Sequence, residues 1–155
     1  YIADYMLKEN VLIGGEESGG ISIKGHIPEG DGILMGLLLL EVIARRGKPL
    51  EQLVDELEAE YGPAYYARTD LRLRRPVVKA EMVRQLAEQP PSDIAGVKVT
   101  EVATTDGVKY IMEDDSWLLI RPSGTEPVLR VYAEATSEAL RDSLLKYGES
   151  IAESV

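Results

Sequence analysis

Residues 33 to 44 read ILMGLLLLEVIA, a run in which Glu41 is the one charged position. Apolar residues fall on every side of such a helix, so the pattern predicts a helix buried on several faces. Asp31 suits its N-cap, and Gly47 with Pro49 suits its end. The run is well short of the roughly 20 apolar residues that a membrane span requires. Upstream, VLIGG (11–15) reads as a short strand and ISIKG (21–25) as a second, with a glycine-rich loop between them. From Pro49 onward, Leu50, Leu53, Val54 and Leu57 recur at helical spacing until Gly62-Pro63, which predicts an amphipathic helix.

The pattern then changes. Residues 64 to 75, AYYARTDLRLRR, are extended in character and end in a basic cluster before Pro76, which suits a strand leading from one unit into the next. A helix is expected over about 78–89, with Val83 and Leu86 on one side and Pro90-Pro91 as its stop. VKVTEV, VKYIM, SWLLI and VLRVYAEA read as four strands, the first two joined across TTDG, where Asp-Gly is a strong hairpin signal. Thr136 or Ser137 caps a final helix carrying Leu140, Leu144, Tyr147 and Ile151. The expectation is an α/β segment over residues 1–65 followed by an α+β domain over 66–155. In the latter, a four-stranded antiparallel sheet is flanked by helices.

Composition narrows the function. With 155 residues, 45% of them apolar, the chain can bury a core. Its net charge of -10 argues against wrapping nucleic acid or lying on an anionic membrane, so any anion must be held by a local site. There is no cysteine, which excludes disulfides and thiolate chemistry; the cytoplasm is the default location. The start, YIADYMLKEN, has no methionine, basic flank or apolar signal core, and reads as a cut made inside a longer protein.

Two loops could carry chemistry. In RPSGTEP (121–127), Gly124 allows successive N–H groups to converge, Ser123 and Thr125 add hydroxyls, and Arg121 offers a planar fork that matches two phosphate oxygens. Two prolines stiffen the loop. The residues alone leave open a phosphate cradle and a polar hairpin turn whose hydroxyls satisfy their own backbone. In GGEESGG (14–20), adjacent carboxylates and a hydroxyl sit on an unhindered backbone, where carboxylates could accept from sugar hydroxyls; a solvated acidic turn and a thin metal site are the alternatives. His26, the only histidine, follows in KGHIPEGDG, where a hydrogen-bonded structural role competes with a catalytic one.

The two loops, in this order, resemble the C-terminal part of the α-D-phosphohexomutase superfamily, the phosphoglucomutases and phosphomannomutases. GGEESGGISIKGHIPEGDGI is similar to the sugar-binding loop and following helix of the family's third domain, and RPSGTEPVLRVYAEA to the phosphate-binding loop of its fourth. The resemblance implies the end of a mixed-sheet α/β domain plus a C-terminal domain similar to the TATA-binding protein. It implies that Glu16 and Ser18, with Gly19 beside them, hold the sugar's O3 and O4 hydroxyls. Arg121, Ser123, Gly124 and Thr125 would bind the phosphate that is not transferred.

By the same resemblance, the parent enzyme would interconvert hexose 1-phosphate and hexose 6-phosphate through a phosphoserine, with Mg²⁺ as cofactor and glucose 1,6-bisphosphate as intermediate. The family's Ser-His phosphoserine loop and its DGDGDR-type metal loop are not found in this sequence, so the chain is expected to hold no metal ligands and to lack mutase activity alone. Where many phosphoglucomutases have Glu-Lys-Asp-Gly, with the lysine implicated in proton transfer, this chain has Glu29-Gly30-Asp31-Gly32; His26 or Lys24 could substitute, or the group could come from the rest of the parent, and His26 takes a supporting catalytic role. GEES favours a glucose-type phosphate over a mannose phosphate without excluding dual use. A non-enzymatic sugar-phosphate or anion-binding module is the competing reading, and nucleic acid and membrane partners are not expected. The helix at 33–44, under-covered without the other domains, makes self-association an expected behaviour.

Overall fold

The computed structural model describes residues 2–16, 19–73, 77–123 and 126–153, the last without its side chain. The chain forms two compact units, residues 1–56 and 57–155. The first opens with helix α1 (Ile2–Lys8), an element the hydrophobic pattern did not signal, closed by an ion pair from Lys8 to Asp4 at 2.8 Å. Strands β1 (Ile13–Gly15) and β2 (Ile21–Ile23) pair antiparallel, Ile13 opposite Ile23.

Helix α2 (Gly32–Arg46) starts and stops where its caps predict. Asp31 Oδ1 accepts from the amides of Ile33 and Leu34, each at 3.0 Å, and Gly47, at φ 63°, donates to the Ile43 carbonyl. Its burial is the correction. Met35 alone is buried, while Ile33 is 82% exposed and Leu37 and Leu40 about as open as each other at 60% and 62%. An apolar surface asks for a cover, and no element of this unit supplies one over most of the helix. Helix α3 (Leu50–Tyr61) is amphipathic as expected, with Leu53 buried and Leu50, Val54 and Leu57 exposed.

The second unit is a six-stranded antiparallel sheet in the order β3-β8-β7-β6-β5-β4, with β3 at Tyr65–Arg72, β4 at Asp93–Ile94 and β5 at Val97–Ala103. Strands β6 (Val108–Met112), β7 (Trp117–Pro122) and β8 (Val128–Ala135) complete it. The four strands expected from the sequence lie contiguously within it. The extended segment before Pro76 adds to one edge as β3, and the short β4 adds to the other. Helix α4 (Lys79–Glu88) packs on β6, and α5 (Glu138–Glu153) on β8, β3, β7 and β4. Ser137 is the cap of α5, its Oγ accepting from the Leu140 amide at 3.3 Å.

Strand alternation separates the two faces of the sheet. Val108, Tyr110, Met112, Leu118, Ile120, Leu129, Val131 and Ala133 join Met82 of α4 and Leu144 of α5 in one core. Complete burial of a side chain such as Leu118 or Val131 contributes about 1.5–3 kcal/mol. The opposite face carries Tyr66, Arg68, Asp70, Lys109, Trp117, Leu119, Arg121, Arg130, Tyr132 and Glu134, and it is this face that positions the candidate chemistry.

Candidate functional site

In the first unit, the segment after β1 closes on itself. The Glu16 amide donates to the Gly20 carbonyl at 2.9 Å, and the Gly19 amide donates back to the Glu16 carbonyl at 3.0 Å. Glu16 and Gly19 are thereby brought into one tight turn, with Gly19 at φ 89°. Ser18 lies outside the described residues. His26 sits in the next loop with Nε2 3.0 Å from Asp31 Oδ2, and the other oxygen of that carboxylate caps α2. The Leu34 amide first, and then His26, hold the Asp31 carboxyl below its ordinary pKa. The histidine therefore ties its loop to the start of a helix.

The second unit presents Arg121 near the end of β7. Cross-strand register puts Arg121 opposite Arg130 of β8, and Arg130 opposite Asp70 of β3, so that the three form one row across the sheet. One row along, Tyr132 stands between Arg68 and Leu119. The guanidinium carbons of Arg68 and Arg121 lie 5.3 and 5.8 Å from the centre of its ring. These two groups explain why Tyr132 is only 3% exposed on the face away from the helices.

Acidic side chains hold the cations apart. Asp70 pairs with Arg68 through two hydrogen bonds of 2.6 Å, which raises the Arg68 pKa and lowers that of Asp70. Asp106, in the β5–β6 turn, accepts from Lys79 Nζ at 2.7 Å and from Arg121 Nη1 at 3.1 Å. Its carboxyl is held below the usual range, chiefly by the Lys79 bond. Arg130 has the opposite situation: its Nε is buried with no hydrogen-bond partner among the described residues, and Asp70 Oδ2 is 3.9 Å away.

The loop that follows Arg121 is closed by Ser123. Its amide donates to the Val128 carbonyl at 2.8 Å, and its Oγ accepts from the Glu126 amide at 3.3 Å. The Ser123 N–H is thus committed to the turn, and a contact from this residue to a ligand would run through its hydroxyl. Gly124 and Thr125 lie outside the described residues. Sequence reasoning missed Arg130, Asp106, Lys79, Arg68 and Asp70 as parts of this cluster. For Arg130 a signal existed, since Arg121 and Arg130 are equidistant from the middle of the intervening turn; for the others only the folded register brings the groups together.

Comparison with known proteins follows this division of the chain. Residues 1–61 match the alpha/beta/alpha domain III of phosphoglucomutase/phosphomannomutase, and residues 72–146 match the C-terminal domain of the same enzymes. A phosphoglucomutase/phosphomannomutase of Thermococcus kodakarensis is 35% identical over 152 residues, which cover 98% of this chain and 31% of that protein. A phosphopentomutase of the same organism is 41% identical over 118 residues, 76% of this chain and 24% of the relative. The chain thus spans about a third or less of the length of these relatives. A crystal structure of a phosphoglucomutase/phosphomannomutase family protein from Burkholderia thailandensis shares the fold, with a TM-score of 0.70 at 24% identity over 98% of this chain and 31% of the other. With both matched domains in their order and together covering most of its residues, the chain belongs to the phosphoglucomutase/phosphomannomutase family, of which it carries domain III sequence and the C-terminal domain.

Proposed function

We propose that this chain is the substrate-binding portion of a hexose-phosphate mutase that interconverts hexose 1-phosphate and hexose 6-phosphate. The observation that carries the reading is Arg121, held at the mouth of the Ser123 loop by Asp106 and flanked by Arg130 in a chain whose overall charge is negative. In this reading Arg121, Ser123, Gly124 and Thr125 receive the phosphate that is not transferred. Glu16 and Ser18 grip the O3 and O4 hydroxyls. Such a grip is nearly indifferent to which end of the sugar carries phosphate.

His26 takes a supporting role in this arrangement, with its Nε2 held against Asp31 at the start of α2. Phosphoryl transfer depends on positioning and electrostatic stabilisation, and the phosphoserine and Mg²⁺ that the family resemblance implies are assigned to the rest of the parent enzyme. Among the described residues no group of three or more His, Asp or Glu side chains could hold a metal ion. Glucose 1,6-bisphosphate would be the parent's intermediate, a glucose-type phosphate its preferred substrate, and the cytoplasm its location. No helix among the described residues is long and apolar enough to cross a membrane. The exposed apolar side of α2 makes self-association of the isolated chain part of the same proposal.

The test is an NMR titration of the ¹⁵N-labelled chain with inorganic phosphate and then glucose 1-phosphate. Shifts at residues 121–127 with phosphate, spreading to residues 15–20 with the sugar phosphate, are expected. Shifts at the first loop alone with both ligands would favour an anion-binding module, and silence at both, with the sheet resonances intact, would overturn the reading.

A further inference from the structure

In the sequence, Asp106 and Gly107 read as a hairpin turn; in the fold both bear on Arg121. Asp106 Oδ2 accepts from Arg121 Nη1 at 3.1 Å while its Oδ1 accepts from Lys79 Nζ, at the start of α4, at 2.7 Å. Gly107 adopts φ 98°, and a Cβ there would run into the Ile120 carbonyl oxygen and lie 3.1 Å from Arg121 Cα. The turn therefore sits against both the backbone and the guanidinium of the arginine, and the Tyr132 ring lies 5.8 Å away.

Electrostatics raises an objection. A carboxylate beside an anion-binding arginine would cancel its charge. Here Lys79 shares the carboxylate, so Lys79, Asp106 and Arg121 together retain one positive charge. Of the other charged groups on this face, Arg130 stands next to Arg121 in register with Asp70 beyond it, and Arg68, which shares the Tyr132 ring with Arg121, is itself paired with Asp70.

We propose that Asp106 is a positioning residue for Arg121: it holds Nη1 so that the Nε–Nη2 edge is presented to a phosphate, while Lys79 offsets the carboxylate's charge. This rests on the reading of Arg121 as a phosphate ligand. An arginine fork meets two phosphate oxygens along one edge, so a partner that fixes the remaining nitrogen orients the fork without consuming it. Removing the carboxylate's charge should favour an anion, whereas removing its geometry should disfavour it. Substitutions that separate charge from shape therefore give different answers.

The experiment uses the whole chain and two readouts. The first is the ¹⁵N–¹H spectrum of the Arg121 side chain at low temperature, assigned by its loss in Arg121→Lys. Native protein should show resolved Nη signals from hindered rotation, Asp106→Asn should retain them in part, and Asp106→Ala should collapse them to one averaged signal. The second is inorganic phosphate affinity followed at the Ser123 amide. Asp106→Ala should bind about tenfold more weakly, Asp106→Asn within about threefold of native, and Lys79→Gln several-fold more weakly with the Arg121 signals unchanged. An averaged Arg121 signal in the native chain, or phosphate binding by Asp106→Ala as tight as native, overturns the proposal. Resolved Arg121 signals that collapse in Asp106→Ala, in a chain that binds no phosphate, would uphold the positioning and sink the phosphate reading instead. Unchanged shifts at Leu118 and Val131 show in every variant that the sheet is intact.

Discussion

Arg121 and Arg130 stand directly opposite each other on β7 and β8, two like charges in register on one face of the sheet. Such a pair is unfavourable in the absence of a ligand, by about 0.2–1 kcal/mol for cross-strand neighbours. Arg130 adds a buried Nε with no hydrogen-bond partner among the described residues. The fold tolerates both.

Replacing Arg130 with leucine should therefore stabilise the chain by about 1 kcal/mol, because it removes a like charge and an orphaned donor. Urea unfolding measures the gain, and the phosphate titration should show weaker binding in the same variant. A loss of stability would mean that the 3.9 Å approach to Asp70 outweighs both penalties.

Gly148 of α5 faces β8 so closely that an added Cβ would run into Val131 Cγ1. Alanine normally favours a helix interior over glycine by about 1 kcal/mol, but overpacking costs about 1–3 kcal/mol, so Gly148→Ala should lower stability on balance. In a Val131→Ala background the same substitution should cost less, since the obstructing methyls are gone. Equal costs in the two backgrounds would show that the clash is relieved elsewhere.

Tyr110 is in the core, its hydroxyl donating to the Leu86 carbonyl at 2.9 Å, and burial pushes its pKa up to about 12 from 10.0. The folded state favours the neutral phenol, so this contribution is complete below pH 10 and is lost as the pH rises toward 12. Tyr110→Phe should cost about 1 kcal/mol at neutral pH through the lost hydrogen bond, and should flatten the alkaline fall in stability. Chemical denaturation from pH 8 to pH 11.5 checks both; an alkaline fall of the same steepness in the variant would assign it to another group.

Asp106 predicts the acid side. Its folded pKa lies below the ordinary 3.8, so its contribution is present above that value and is lost as the pH falls through the depressed one. Because the ion pairs are partly exposed, Asp106→Asn should cost no more than about 1 kcal/mol at pH 6. The gap from native should close below pH 3.8. A gap that persists at pH 2 would mean that the loss is one of packing.

The purified chain should produce no glucose 6-phosphate from glucose 1-phosphate in a coupled dehydrogenase assay, with or without added glucose 1,6-bisphosphate and Mg²⁺. Appreciable turnover would place the transferring groups within these residues and overturn the proposed division of labour.

Several features could be read before any fold was known. Asp31 and Gly47 bound α2 because capping is local: a side-chain oxygen reaches the amides two and three residues on, and glycine accepts a left-handed backbone. The Asp-Gly hairpin and the four central strands were legible for the same reason. Helix α1 was not, because IADYMLK is too short to display a period. The exposure of α2 was not either, since apolarity states that a surface needs cover and is silent on what supplies it.

By itself, the sequence determined the ends of α2, the four central strands of the sheet and the placing of an arginine and of carboxylates beside two glycine-containing loops, all of them matters of neighbours along the chain. Tertiary structure decided what surrounds Arg121. Register across three strands aligned it with Arg130 and Asp70, a hairpin turn and a helix start delivered Asp106 and Lys79, and two guanidiniums covered Tyr132. Those groups are separated by up to 64 positions in sequence, from Arg68 to Tyr132, and only hydrogen-bonded pairing of strands brings such positions within reach of one another.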